Sequence, residues 1–476
     1  MPVSLSAAAL ALLVLSCADR TSPESLPHIV LILADDMGWG DLASYGHPIV
    51  KTPHLDRIAN EGSRFDQFYV QAPICSPTRA GILTGQYPAR LSIFVALATA
   101  AGNESAGIPD WLDPEVPTIA DSLHARGYRT AVFGKWHLGR LAGAPEPGAY
   151  GFDEHRTVNS AGPGWEDRGT EKFRARSTGL IVDEAIRFLE ECERDGVPGF
   201  VNCWTLIPHD SLAPTDEEYA LYTDAAVTPV TFPEPTRSYL ANAPRLTAQM
   251  RTYCAAVSGL DREVGRLLDY LDDAGIADRT LFLFTSDNGP DDYHVSRSNH
   301  AGAGSTGPFR GRKRSLYEGG IRMPLLVRWP GHVPAGRVDD ESVLTGLDIP
   351  ATLLGIASGS DRGRPPGGTP HQATFPGDGV DRSGALLGTS AGGRPPLYWI
   401  WPGRHHGAAR DRSPGLAVRD GRWKLHADLE GAPAELYDLE ADPGESVNRI
   451  DEEPEIADRL TTLLRTWHAS LPARPD

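Results

Sequence analysis

The chain has 476 residues, 40% hydrophobic and 23% charged, which excludes disordered and fibrous classes and suffices for one large core or two smaller ones. Its formal net charge of −18 argues against nucleic acid or an anionic membrane surface as partner, because the long-range field repels polyanions. An anionic substrate needs a local basic pocket to overcome that field.

Residues 7–15 are an unbroken apolar stretch, too short to span a bilayer as a helix but the size of the hydrophobic region of a secretory signal. Export is expected, to the periplasm, the cell surface or the medium. Residues 14–18 (VLSCA) resemble a bacterial lipoprotein box in which Cys17 would become the acylated N-terminus, yet residues 1–6 carry no Lys or Arg. A lipid-anchored form and an ordinary cleaved signal peptide both stay open, and the anchor would be the chain's only membrane contact. No later segment is long and apolar enough to cross a membrane.

Residues 28–34 (HIVLILA) have the composition of a strand buried on both faces, and they run into Asp35-Asp36. In PICSPTR, residues 73–79, Pro77 suits the first turn of a helix, which places Cys75 just before a helix N-terminus. Such a position lowers a thiol's pKa and attracts anions. Cys75 is then either a nucleophile or a buried structural residue. Further strands are expected at 130–133, 200–207, 280–285 and 325–329, and helices at 116–126, 180–192 and 249–274. This alternation predicts an α/β fold: a large, mostly parallel sheet flanked by helices.

From about residue 355 to 396, Gly, Pro and Ser dominate and periodicity disappears, as in a loop or linker. Short alternating segments at 397–401, 415–419 and 422–426, then a helix over 453–471, predict a small C-terminal α+β domain with an antiparallel sheet. The expected divisions are a leader at 1–25, a main domain at 26–380 and the small domain at 381–476. The five cysteines, Cys17, Cys75, Cys192, Cys203 and Cys254, are no disulfide scaffold. Cys192 and Cys203 either pair or are small buried apolar residues.

In parallel α/β sheets, ligands bind beyond the carboxyl ends of the strands. Four expected strands end there in polar groups: Asp35-Asp36, Lys135-Trp136-His137, Pro208-His209 and Asp287-Asn288. One such ending is ordinary turn chemistry, but four favour a shared site. Asp35, Asp36, Asp287 and Asn288 offer only oxygen donors, which suits a hard divalent cation rather than zinc, with Ca2+ preferred to Mg2+ for its looser coordination. Arg79, Lys135, His137, His209 and Lys313 are the candidate cationic or proton-transferring groups. The run 310–314 (RGRKR) reads by itself as a solvated basic loop, though Gly319 and Gly320 just beyond it let a backbone approach closely.

Taken together, these residues resemble the type I sulfatases of the alkaline-phosphatase-like superfamily. Cys75-Ser-Pro-Thr-Arg79, continuing to Gly85, matches the family signature in which the cysteine is oxidised to formylglycine. Residues 134–139 (GKWHLG) are similar to the second signature, and Lys313 with 318–324 (EGGIRMP) to the lysine-containing segment. The resemblance implies a sulfuric ester hydrolase similar to arylsulfatases and N-acetylgalactosamine-6-sulfatases, acting on sulfated polysaccharides or oligosaccharides and matured by a formylglycine-generating enzyme. It implies that the aldehyde at position 75 hydrates to a diol, that one hydroxyl attacks sulfur, and that the other expels sulfate by elimination.

Carried over residue by residue, Asp35, Asp36, Asp287 and Asn288 would hold Ca2+ with the modified Cys75 completing the shell. Arg79 would support the formylglycine, His137 would be the base, Lys135, His209 and Lys313 would bind the sulfate, and His209 or Lys313 would protonate the leaving oxygen. A phosphodiesterase or phosphonate monoester hydrolase of the same fold, and an inactive glycan-binding lipoprotein, are the alternatives. Candidate sugar contacts are Asn159, Trp165, His294, Asn299, His300, Trp401, His405 and His406, with ordinary packing the competing explanation for each aromatic side chain.

Overall fold

The computed structural model describes residues 26–293, 300–358, 375–403 and 408–472. The leader, Cys17, His294, Asn299, His405 and His406 lie outside the described residues. Strands β1 (His28–Asp35), β2 (Ser63–Tyr69), β3 (Arg129–Gly139), β4 (Glu154–Ser160), β5 (Gly199–Pro208), β6 (Thr280–Ser286), β7 (Arg322–Arg328), β8 (Arg337–Asp339) and β9 (Leu344–Thr345) build one sheet. Its order is β4-β3-β5-β1-β6-β7-β2-β8, with β9 also on β2. Only β7 runs against its neighbours, so the sheet is mostly parallel, as the sequence predicts.

Every residue of β1, β5 and β6 is buried. Side chains alternate across the sheet, so Ile29, Leu31 and Leu33 join one apolar cluster and Val30, Ile32 and Ala34 the other. Helices Cys75–Thr84, Ile119–His124 and Asp348–Ala357 cover the first face, and Pro53–Glu61, Glu171–Asp195 and Leu246–Asp273 the second. Continuous apolar runs are what such double coverage demands. Strands β2 and β4 escape sequence reading because they lie toward the sheet's margins and carry polar, half-exposed positions. The helix Asp348–Ala357 carries order past Gly355, where the linker was expected to begin.

A second, antiparallel sheet runs β10 (Leu397–Ile400), β11 (Leu416–Asp420), β12 (Trp423–Ala427), β13 (Pro433–Asp438) and packs with the helix Pro454–Ala469. Trp399, Leu416, Val418, Leu425 and Leu460 belong to the same apolar cluster as Ile29 and Leu31. The two sheets therefore share one core. Cys192 and Cys203 are both buried free thiols, which settles their reading as apolar residues.

Polar contacts also tie the sheets together. Lys424, on β12 and fully buried, donates to Leu316 O at 2.8 Å and to Glu318 Oε1 at 2.8 Å, and sits 3.0 Å from Glu445 Oε1. Glu445 accepts the Glu318 N–H at 2.6 Å, and Ser413 Oγ accepts the Leu316 N–H at 2.8 Å. The loop that follows Lys313 is thus held from the second sheet.

Candidate active site

A regular strand would send Asp35 and Asp36 to opposite faces. Instead Asp36 takes a left-handed backbone (φ 68°), a region Asp tolerates better than most residues, so both carboxylates turn to one side. Asp287 Oδ1 accepts the Asp36 N–H at 3.1 Å, and Asn288 Nδ2 donates to Asp36 Oδ1 at 2.7 Å. One ligand atom each from Asp35, Asp36, Cys75 and Asp287 lies within 4.8 Å of the others, all buried. The ends of β1 and β6 and the start of the helix Cys75–Thr84 meet here.

All ten residues of that helix are buried. Cys75 Sγ is 3.5 Å from Asp35 Oδ1, 3.8 Å from Asp36 Oδ1 and 3.4 Å from Lys135 Nζ. Burial and the Asp287 carboxylate push its thiol up, reversing the lowering expected from helix position alone. One turn on, Arg79 forks onto Asp287 Oδ2 at 3.0 and 2.7 Å, donates to Lys135 O at 2.7 Å, and stands 5.1 Å over the Trp204 ring. Lys135 reaches both Asp35 oxygens at 2.7 Å. Burial would raise Asp35, but the cations of Lys135, His209, Arg79 and Lys313 hold it well below the ordinary carboxylate range.

The basic run is no solvated loop; each cation has its own buried or half-buried destination. Arg310 crosses to Tyr437, Arg312 donates to backbone carbonyls of Asp291, Gly302 and Gly304, and Arg314 pairs with Asp291 at 2.6 Å. Lys313 Nζ meets Asp36 at 2.6 and 2.5 Å. Burial disfavours the Lys313 charge, yet Asp36 outweighs it and raises the pKa. The backbone around it is pinned: Lys313 N donates to Pro290 O at 3.1 Å and Arg314 N to Pro73 O at 2.8 Å. Gly289 lets the segments touch, since a Cβ there would fall 2.0 Å from Gly319 O.

His137 lies within β3, again with a left-handed backbone (φ 61°), and its buried Nδ1 has no partner. Burial, then Lys135 and Arg79, push its pKa well down. His209 follows β5; its Nδ1 donates to Asp210 O at 2.7 Å, which leaves Nε2 facing Asp36 Oδ2 at 3.8 Å. Burial lowers its pKa against the pull of Asp36 and Asp35. With its side chain 33% exposed, His209 marks the open side of an otherwise buried cluster. Asn159 is exposed on β4, whereas Trp165 and Trp401 are 4% and 3% exposed and belong to the core, so packing is their explanation. Sequence reading missed Ser286, whose Oγ accepts the Met37 N–H at 2.9 Å, and Trp204 under Arg79; neither carries a motif signal.

The cluster fits a hard divalent cation. Asn288 Oδ1 is buried with no hydrogen-bond partner, a costly state unless something electropositive faces it. Three carboxylates, Asp35, Asp36 and Asp287, stand against three cations, Arg79, Lys135 and Lys313. Formal charge is balanced before a cation enters, and a bound dication leaves the site positive for an anionic substrate despite the chain's −18.

A family model described as Sulfatase matches residues 27–360. Human arylsulfatase A is 32% identical over 470 residues, covering 89% of this chain and 83% of that protein. The N-acetylgalactosamine-6-sulfatase of Canis lupus familiaris is 33% identical over 434 residues, covering 84% and 73%. The crystal structure of Ps i-CgsB in complex with k-i-k-neocarrahexaose superposes with a TM-score of 0.73 at 23% identity, covering 93% of each chain, a likeness of fold. Signature, architecture and relatives agree: the chain belongs to the sulfatase family and is a sulfuric ester hydrolase.

Proposed function

We propose that the protein hydrolyses sulfate esters of carbohydrates, using Ca2+ and a formylglycine made from Cys75. What carries the reading is the meeting of Cys75 with three carboxylates and an unpartnered Asn288 oxygen, flanked by Lys135 and Lys313. Asp35, Asp36, Asp287 and Asn288 would hold the cation, which supplies positive charge for the sulfuryl oxygens when bound. Cys75 Sγ stands where the oxygens of the hydrated aldehyde would be, and those two hydroxyls supply first a nucleophile and then the means of expelling sulfate. A sugar substrate is supported by relatives named N-acetylgalactosamine-6-sulfatase and a fold neighbour solved in complex with k-i-k-neocarrahexaose.

The remaining work falls to the chain's own side chains. Lys135 and Lys313 neutralise charge on the sulfate oxygens, and Arg79 holds Asp287 and the end of β3 in place. His137, with a bare buried Nδ1, takes the proton in the elimination step. His209 rather than Lys313 protonates the leaving oxygen: as the imidazolium, with Nδ1–H held by Asp210 O, it gives up the Nε2 proton and is left neutral, and it stands at the open side where an alcohol departs, while Lys313 is buried against both oxygens of Asp36. The leader at 1–25, read as an export signal, precedes the catalytic unit at 26–380 and the smaller unit at 381–476.

The test is Cys75→Ala in matured protein, with mass spectrometry of the peptide containing residue 75. Loss of sulfate release, and a wild-type peptide carrying the aldehyde, are expected. Wild-type turnover in the variant, or an unmodified thiol in fully active enzyme, would overturn the nucleophile assignment. Matched phosphate esters, hydrolysed faster than sulfates, would redirect the substrate class.

A further inference from the structure

The acid assigned above sits on a turn that the sheet no longer holds. After Pro208 the chain leaves β5 and regains regular structure only at the short helix Asp216–Ala220. Within that turn the imidazole is anchored by the bond from Nδ1 to the carbonyl of Asp210, with Nε2 toward Asp36. The direction of that carbonyl therefore decides which ring nitrogen carries the fixed proton and where Nε2 points.

Arg174 grips the turn on both sides of that carbonyl. Its Nε donates to Ser211 O at 3.0 Å, and its Nη2 donates to His209 O. Arg174 stands in the first turn of the long helix Glu171–Asp195, where Thr170 accepts the Phe173 N–H and Ser177 Oγ bonds Arg174 O. That helix packs on the second face of the main sheet through Phe173, Ile181 and Val182, so the guanidinium is carried on a rigid element. Its charge is felt by the carboxylates of Asp35, Asp210 and Asp36. A cavity of about 140 Å³ lined by Arg174, Ile207, Ala213 and Pro214 lies against the turn.

We propose that Arg174 is a positioning residue for the proton donor: its planar fork fixes the 209–211 turn, and so aims Nε2 of His209 at the departing alcohol oxygen. This rests on the assignment of His209 as acid. The planar guanidinium presents two donors at a fixed spacing, which the single ammonium of Lys does not, so Lys cannot replace it. Proton transfer matters most when the leaving oxygen is strongly basic, so the fork matters most for poor leaving groups.

The experiment compares Arg174→Ala, Arg174→Lys, His209→Ala and the double variant on 4-nitrophenyl sulfate, a good leaving group, and 4-methoxyphenyl sulfate, a poor one. Arg174→Ala should lose on the order of 10²-fold in kcat on the poor leaving group and distinctly less on the good one, the scale of a misplaced catalytic group. Arg174→Lys should not restore the difference, added guanidinium should restore part of it through the cavity, and the double variant should be no slower than His209→Ala. Equal loss on both sulfates in both Arg174 variants, or additive losses in the double variant, would overturn the positioning role. If His209→Ala itself loses equally on both sulfates, the acid assignment fails instead. Should Arg174→Ala not fold, Arg174→Lys with its leaving-group dependence decides alone.

Discussion

Replacing Lys424 by Met removes one buried cation while keeping the length of its stem. The ammonium serves Leu316 O, Glu318 Oε1 and Glu445 Oε1, and solvent cannot reach any of the three groups to compensate. Glu318 would keep Tyr69 OH at 2.5 Å and Arg322 at 3.3 Å, both on its other oxygen, so Oε1 loses its charged donor. Breaking a buried pair from one side costs about 3–5 kcal/mol. Adding Glu318→Gln removes the stranded charge, and the double variant should recover about 1–3 kcal/mol of that loss. Urea unfolding followed by tryptophan fluorescence reads both, with Trp399 at the contact between the sheets as a natural reporter, its Nε1 bonding Val70 O at 2.7 Å. A loss below about 1 kcal/mol, or a double variant as unstable as the two singles summed, would refute the view that this lysine clamps the sheets together.

Burial alone would raise Glu318, but Lys424, Arg322 and Arg419 depress it to about 2, so its stabilising contribution is full above the ordinary value of 4.5 and is lost as pH falls toward about 2. Acid titration of stability should show that loss, and Glu318→Gln should flatten it. Gly289→Ala would drive a Cβ into Gly319 O, separating Asn288 from the loop that carries Lys313. Activity should fall about 10²-fold in protein that still folds, and wild-type kcat in the variant would contradict the close approach. Chelation should abolish turnover without unfolding the chain, because the site's carboxylates already face an equal number of cations. Adding Ca2+ at about 100 times its dissociation constant should stabilise the protein by about 2.7 kcal/mol, and Asn288→Ala should shift that titration to higher concentration.

The sheet was legible because β1, β5 and β6 are buried on both faces, which leaves no polar position to blur the apolar runs. The marginal strands β2 and β4 were not, since polar residues face solvent there and local propensity says little. The polar endings of four strands suggested a common site, and the structure brings Asp35, Asp36, Lys135, His209, Asp287 and Asn288 together, while Trp136 packs in the core. What one dimension could not convey was direction: the left-handed turn at Asp36 that brings two adjacent carboxylates to one side, or the separate destinations of Arg310, Arg312, Lys313 and Arg314. Nor could residue order show that Glu318 meets Lys424 and Glu445 from a distant sheet. Such pairs arise from long-range folding and leave no local trace.

The helix that begins with Cys75 is enclosed on every side, and the thiol itself is 2% exposed. No second protein can wrap its own catalytic groups around a sulfur in that position. If Cys75 is to be oxidised, the modifying enzyme must meet this stretch while it is still extended, and docking of the helix closes the opportunity for good. On that condition a molecule that folds first stays inactive, and the supply of active protein would be set by a race between activation and compaction.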